Sequence, residues 1–555
     1  MIGVFGIWPK GLAALAFALL LFPASPAPES GTAAILAATG THEAITIEGD
    51  ASFTAGNGVV AGIGTSTDPY VISGWNISSP GSHAFAVRNT TSSFVIEGCT
   101  AASGFQYGIQ LWNASNGMIR NSSVPGSWYG LYLYESSNIS IVDCDLTKND
   151  SGEVFVQMCI GPITLSRNRF QGGSITLYGL DGEMVIQDNR LNSSSLELTD
   201  CDGGRVSGNV ISLAFELEIR DCSNLSIDNN RMTDCSIGLF GSSVEQMTSI
   251  EISPTNTVNG LPVLFLKNLS GEVVDASSCG QFIGVNLTNV RIVGFASPSF
   301  NASWYGFHGG IGITVSFSSN ISIGMCSISK KYYGISCSHS SGLSIWGNTI
   351  TECSMGIGLG LCSGFNVSGN VITGLRGQGI NIGTSDLGII YGNRFAGLEE
   401  SMFAFRMSNL SVVANNFETN KDLLRLEDVS NCIVYHNNFE YESLNGVSVM
   451  IWGEISNVSF DNGLPDGGNY WSGAKHVDKN KDGFSDQNVT LYFEYQTGTS
   501  IVDRYPLMRP YGEHRDKIDL FWIWATLLIA AVVGIVAGLL RPKKFKPVDV
   551  EDTLR

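Results

Sequence analysis

The stretch "YGISCSHSSGLSIWGNTI" spans residues 333–350. Its outline returns as "MGIGLGLCSGFNVSGNVI" at 355–372 and as "QGINIGTSDLGIIYGNRF" at 378–395. In each copy a Gly-Ile pair opens a short alternating apolar run, and a Gly-Asn pair precedes the next. Gly312, Gly334, Gly356 and Gly379 step by 22 or 23 residues, and Asn348, Asn370, Asn393, Asn415 and Asn437 keep the same step. The N-terminal half has its own column: Cys99, Asn121, Cys144, Asn168, Asn189, Asn209 and Asn230. A period this short cannot hold a helical repeat. It fits one turn of a right-handed parallel β-helix, with two or three short strands per coil, apolar residues alternating inward and polar or small ones outward.

The asparagine column has a mechanical reading. Each coil needs a residue that tolerates the left-handed conformation at a tight turn, and stacked amides can hydrogen-bond along the axis. Cys99, Cys144 and Cys326 fill the same column as small residues, and most of the 12 cysteines read as core filling. None forms a CxxC pair, so zinc-finger and thioredoxin spacings are absent. Cys201 and Cys222 share a column and could be a disulfide or two stacked thiols. About fifteen coils rising roughly 4.8 Å each give a rod on the order of 70 Å. Residues 231–311 break the register and hold Pro254, Pro262 and Pro298, so looser coils or inserted loops are expected there.

The 555-residue chain carries 15% charged residues, 65 glycines and a net charge of −19. That balance argues against nucleic acid, which needs clustered Lys and Arg, and suits a solvated extracellular surface. Lys10, the apolar run at 11–22 and small residues at 24–27 read as a secretory signal peptide over 1–27, followed by a leader at 28–44. The apolar residues 520–540 match a bilayer span and are followed at once by Arg541, Lys543, Lys544 and Lys546. The expected plan is a β-helix over 45–466, a cap over 467–517, one transmembrane helix over 518–540 and a cytoplasmic tail over 541–555. This places the protein in the cell membrane as a single-pass chain with its bulk outside. Sixteen Asn-x-Ser/Thr sequons agree with export, among them Asn76, Asn89, Asn113, Asn138, Asn224, Asn301, Asn366 and Asn457.

With Ile109, Leu131, Val154, Ile175, Leu196 and Leu217 pointing inward, one outward column reads Gln110, Tyr132, Phe155, Thr176, Glu197, Glu218. The next reads Trp112, Tyr134, Gln157, Tyr178, Thr199, Arg220, with Asp200 and Asp221 at the following turn. Aromatic faces beside carboxylates and an arginine are what a sugar-binding groove needs, so Trp112, Tyr132, Tyr134, Tyr178 and Arg220 are the candidate carbohydrate-binding residues. Glu197, Glu218, Asp200 and Asp221 are the candidate catalytic carboxylates. Those on adjacent coils lie roughly 5 Å apart, near the spacing of retaining glycosidases, but stacking gives that spacing to any repeated acid. A Gly-His-Gly motif is absent.

The segment "GGNYWSGAKHVDKNKDGFSD" at 467–486 places Asp478, Asn480, Asp482, Gly483, Phe484 and Asp486 at positions one, three, five, six, seven and nine of a calcium loop. Val489 occupies position twelve, so closure needs another carboxylate such as Asp466 or Glu494. The ion expected there is a structural Ca²⁺ clip beneath the last coil; a set of Asx turns is the alternative.

Three segments resemble one family. Residues 45–77, residues 256–268 ("NTVNGLPVLFLKN") and residues 468–508 ("GNYWSG…DKNKDGFSD…DRYPLM") resemble archaeal cell-surface right-handed β-helix proteins. These share the β-helix domain of NosD-type periplasmic proteins, grouped with carbohydrate-binding proteins and sugar hydrolases. Gly473 departs from the pattern, which usually has Asp after Trp-Ser. The resemblance implies the fold and export, and brings copper in through the NosD branch, yet the seven histidines are scattered. Three functions follow as expectations: a surface protein binding carbohydrate or neighbouring surface proteins, a polysaccharide hydrolase or lyase, or a metal-handling protein.

Overall fold

The computed structural model describes residues 40–512 except 80, 148, 150, 151, 299, 301–308, 375, 376, 442–448 and 493–499. The expected signal peptide, membrane span and tail lie outside the described residues, as do Asn301 and Glu494. No helix among the described residues is long and apolar enough to cross a membrane.

The chain winds into a right-handed parallel β-solenoid of about 17 coils. Each coil lays one strand in each of three sheets. The first sheet runs through Tyr129–Tyr134, Gly152–Gln157 and Ser174–Tyr178, the second through Ser137–Val142 and Ile163–Ser166. The third is built of three-residue strands such as Arg169–Gln171 and Arg190–Asn192. Leu131 pairs with Ile109 on one side and Val154 on the other; the ladder continues through Ile175, Leu196 and Leu217. This is the register expected from alternation. Isoleucine, leucine and valine fill the interior at essentially zero exposure. All twelve cysteines are buried free thiols, including Cys201 and Cys222, where the Cys201 N–H donates to Cys222 Sγ at 3.4 Å.

The asparagine column forms two buried amide ladders at the second corner of the coils, one from Asn168 to Asn256 and one from Asn348 to Asn469. The backbone N–H and Nδ2 of Asn189 both donate to Asn209 Oδ1 at 3.0 Å, and its Nδ2 also donates to Leu165 O at 2.8 Å. The same bonds join Asn168 to Asn189, Asn209 to Asn230 and Asn230 to Asn256. Cys144 and Cys326 head the two ladders, their N–H groups donating to Asn168 and Asn348. Two expectations need correction. The left-handed residue is the one before the ladder asparagine (Arg167, Asp188, Asn229), because the turn must be completed before the amide can point inward. Asn121 is likewise such a turn residue; Ser122 takes the column position, its Oγ accepting from the Cys99 N–H.

The glycine column has a steric cause. A Cβ on Gly334 would stand 2.6 Å from Gly356 O, and one on Gly356 2.5 Å from Gly379 O. Each glycine sits directly beneath the carbonyl of the next coil, where no side chain fits.

The register breaks after Ile237–Phe240, slightly later than expected. The helix Val244–Ser249 and an antiparallel pairing of Thr257–Val258 with Leu261–Lys267 intervene. Two cores result. Strand Gln281–Val285 is buried along its length: Ile283 and Val285 join the N-terminal core, Phe282 the C-terminal one. Gln281 replaces the missing strand partner of Ile237, accepting from its N–H at 3.0 Å and donating to its carbonyl at 2.6 Å.

The C-terminal ladder ends on a carboxylate. Asn469 accepts from Asn437, and its own N–H donates to Asp503 Oδ2 at 2.9 Å. Inside, Phe395, Phe417, Phe439 and Trp471 stack at 4.4–4.9 Å, and Trp471 Nε1 donates to the same Asp503 oxygen at 2.8 Å. Arg504 forms a bidentate pair with Asp461 at 2.7 and 3.0 Å. Gly473 packs under Tyr441, whose ring lies 2.3 Å from where a Cβ would stand, so aspartate is excluded here.

Two predictions follow from these contacts. Gly356→Ala should cost about 1–3 kcal/mol, since overpacking displaces backbone, whereas Gly383→Ala, with nothing within 4 Å of its Cβ, should be near neutral; chemical denaturation compares them. Burial pushes Asp503 up to about 6, against the pull of Trp471 and Asn469. The folded state therefore holds this proton more tightly than the unfolded chain. Stability should fall as pH rises from about 4 to 6, by about 3 kcal/mol in all. Asp503→Ala should abolish that slope and lower stability throughout, because it strands two buried donors.

Candidate functional site

The outward face of the first sheet in the N-terminal stack carries both predicted columns in their predicted pairing. Tyr132 sits beside Gln110 and Phe155, Tyr134 beside Trp112 and Gln157. Glu197 pairs with Thr176 and Glu218, and Thr199 pairs with Tyr178 and Arg220. The upper coils are aromatic. Tyr132 stacks on Phe155 at 5.6 Å, and Trp112 meets Tyr134 edge-on at 5.5 Å. Trp112 is 47% exposed and Tyr178 39%. Arg88 closes the top, its Nη2 donating to Gln110 Oε1 at 2.5 Å.

Two tyrosines of this face were missed in the sequence. Tyr107 and Tyr129 stack on each other at 5.9 Å and pack against Tyr132 at 5.0 and 5.9 Å. Their signal was the Tyr-Gly preceding each inward residue in "YGIQL" and "YGLYL".

The lower coils turn acidic. Glu197 is largely buried and accepts a 3.4 Å hydrogen bond from Thr176 Oγ1; burial, then the charge of Glu218, raises its pKa above the usual carboxylate range. Glu218 is held by Arg220 at 2.6 Å, and that guanidinium lies 4.8 Å over the Phe240 ring. Glu216, one alternation upstream, is buried and pushed up to about 8. The face thus gathers carboxyl groups on adjacent coils, and burial raises the pKa of two of them, Glu197 and Glu216. Asp200 and Asp221 stand apart, in left-handed conformation at the corner with φ of 52° and 51°. Asp221 Oδ1 accepts from the Ser242 N–H at 2.8 Å.

The outward face of the C-terminal stack carries a second aromatic patch, also missed. Arg425 lies between Phe403 and Trp452, 4.5 and 4.4 Å from their ring centres, and donates to Glu427 at 2.9 Å. Its columns continue the repeat: Asn381, Phe403 and Arg425 pair in one, Phe405, Glu427 and Trp452 in the next.

The 478–486 loop is exposed and closed by its own backbone. Asp478 accepts from the N–H groups of Lys481 and Gly483 at 2.6 and 3.1 Å. Asp482 accepts from the Phe484 N–H at 2.9 Å and from Asn480 Nδ2 at 2.8 Å, and Asp486 accepts from the Lys479 N–H at 2.7 Å. These are Asx turns, so a cation would compete with backbone donors for the same oxygens. Among the described residues no three His, Cys, Asp or Glu side chains converge closely enough to hold a metal.

Two family models match. The right-handed β-helix region matches residues 39–191, and the periplasmic copper-binding protein NosD matches residues 285–475. None of the curated proteins matches the sequence. Among solved structures, the A-module of mannuronan C-5 epimerase AlgE6 from Azotobacter vinelandii is similar at 12% identity, covering 63% of this chain and 90% of that one, with a TM-score of 0.20. A double mutant of the periplasmic alginate epimerase AlgG matches at 12% identity, covering 70% and 84%, with a TM-score of 0.22. A mutant of the PL6-family alginate lyase AlyGC matches at 8% identity, covering 78% and 96%, with a TM-score of 0.18. The two family matches fall on either side of the break in register, one on each stack. With parallel coils wound on both sides of that break, the chain is a right-handed parallel β-helix protein.

Proposed function

We propose that this is a membrane-anchored, glycosylated extracellular β-helix protein that binds carbohydrate, or other cell-surface components, along the outward face of its first sheet. One observation carries the reading. An exposed ladder of aromatic rings on successive coils runs into a patch of carboxylates and an arginine. Sugar rings stack on aromatic faces through their C–H surfaces, and flanking charged groups fix hydroxyls. Consecutive coils present these groups at about 5 Å intervals, close to the length of one hexose, which suits a polymer lying along the axis. Ca²⁺ in the 478–486 loop is proposed as a structural clip, held by Asp478, Asn480, Asp482, Asp486 and the Phe484 carbonyl.

A second reading, a polysaccharide hydrolase or lyase, is favoured by one feature: Glu197, with its raised pKa, lies beside Glu218, which is paired with Arg220. In that case Glu197 would act as the acid, with Glu218 and Arg220 beside it.

A glycan array of residues 28–515 tests the first reading. Binding should be retained in EDTA and fall at least tenfold in Trp112→Ala combined with Tyr134→Ala; unchanged binding would remove the aromatic ladder from the site. Turnover of any polysaccharide, abolished by Glu197→Gln, would establish the second. For the proton affinities, ¹³C-carboxyl titration should show the Glu197 midpoint falling toward the ordinary range in Glu218→Gln, since a neighbouring negative charge is removed. For the loop, Ca²⁺ should raise the melting temperature in wild type and not in Asp478→Ala with Asp482→Ala.

A further inference from the structure

The sequons are not scattered over the molecule. Nine occupy one corner of the coil, between the first and second sheets. Asn89, Asn113, Asn268 and Asn286 hold the first position of that corner, where the first-sheet strand ends. Asn138, Asn224, Asn320, Asn409 and Asn457 hold its last position, where the second-sheet strand begins. All nine are exposed and all have φ between 47° and 58°.

The coil pattern explains why a sequon recurs here. The corner needs a left-handed residue, which asparagine tolerates. At the last position the following residue points into the core, and the next points out again. An outward serine two residues after a corner asparagine completes Asn-x-Ser, as in Asn138-Ile139-Ser140 and Asn224-Leu225-Ser226. The amide and the hydroxyl then stand on the same convex, solvated edge. Three described sequons elsewhere lack this arrangement. Asn149 is 2% exposed, Asn366 has a buried Oδ1, and the hydroxyl paired with Asn192 belongs to buried Ser194, which accepts from the Gly172 N–H. Corner asparagines also bond to one another, Asn138 Nδ2 to Asn116 Oδ1 at 2.8 Å and Asn457 Nδ2 to Asn431 Oδ1 at 2.8 Å.

We infer that N-linked glycans are carried along this single edge, with the corner asparagines as acceptors. The inference rests on the export reading and names the sites within it. In the transfer, Nδ2 attacks the anomeric carbon of a lipid-phosphate-linked oligosaccharide. The N–C bond forms as the C–O bond to phosphate breaks, the lipid phosphate leaves, and the amide proton passes to the transferase. Glycans placed here border the aromatic face on one side and leave the third sheet bare.

Glycopeptide mass spectrometry of the full-length protein from its native host tests this, together with N-terminal sequencing. Glycans confined to the nine corner sequons support it. Glycans at Asn76, Asn121, Asn192, Asn366 or Asn488 with the corner empty overturn it. A processed N terminus with no glycan overturns the inference and leaves export standing; an unprocessed, unmodified chain overturns both. Ser140→Ala keeps the Asn138–Asn116 bond and should remove one glycan mass with melting unchanged. If the glycan mass is unchanged in Ser140→Ala, the Asn138 assignment fails.

Discussion

A coil of this solenoid turns three corners, and at the second it buries an amide that water cannot reach. Leaving such a group unpaired costs about 1–3 kcal/mol each time, so every coil must find a donor or acceptor in its neighbours. Asparagine meets the need by accepting two bonds on Oδ1 from the coil before, and by donating through Nδ2 to the ladder residue of the coil that follows and to a strand carbonyl of the coil before. The rest of the architecture depends on this. The ladder fixes coil spacing, the spacing stacks the glycines under carbonyls, and the aligned coils bring single residues into columns. An aromatic face of this kind is a by-product of alignment: Tyr107, Tyr129 and Tyr132 form one cluster because their strands pair in register.

The break between the two stacks shows what happens where the repeat is lost. Polar groups that a regular coil would have paired are taken over by single side chains. Gln281 does for Ile237 what a strand would do, and Ser236 Oγ accepts from the Ile311 N–H at 2.7 Å. The break also buries charge. Lys331 is fully enclosed, its ammonium over the Phe300 ring and its Nζ donating to Pro298 O at 3.2 Å, and burial lowers its pKa to about 7. A repeat spreads its polar cost evenly over the coils, whereas an interruption concentrates that cost in a few residues.

Much of this was legible from spacing alone. Alternation is a strict signal, because a slip of one residue would turn the core outward; the pairing of Leu131 with Ile109 and of Glu197 with Glu218 could therefore be read directly. The column at Cys99–Cys144 was misplaced by one because Asn121 and Ser122 are neighbours and only the backbone decides which is the turn residue. The patch around Arg425 escaped notice because its value lies in three-dimensional stacking: Phe403 and Trp452 are far apart in the chain, and neither repeats in its column. The calcium-loop pattern and an Asx-turn pattern use the same residues at the same spacing, since both need oxygens that reach back to one point.

The ladder also has a direction. In the C-terminal series each asparagine's N–H donates to the coil that follows it, so a chain made from the N terminus presents an unmatched amide at its growing end. Asp503 is the first residue in the C-terminal series that accepts and cannot donate. Assembly in the order of synthesis therefore stays open until the last segment arrives, and the closing carboxylate marks the finished length. A chain stopped short at any coil would expose a polar edge ready to take up a strand from another molecule.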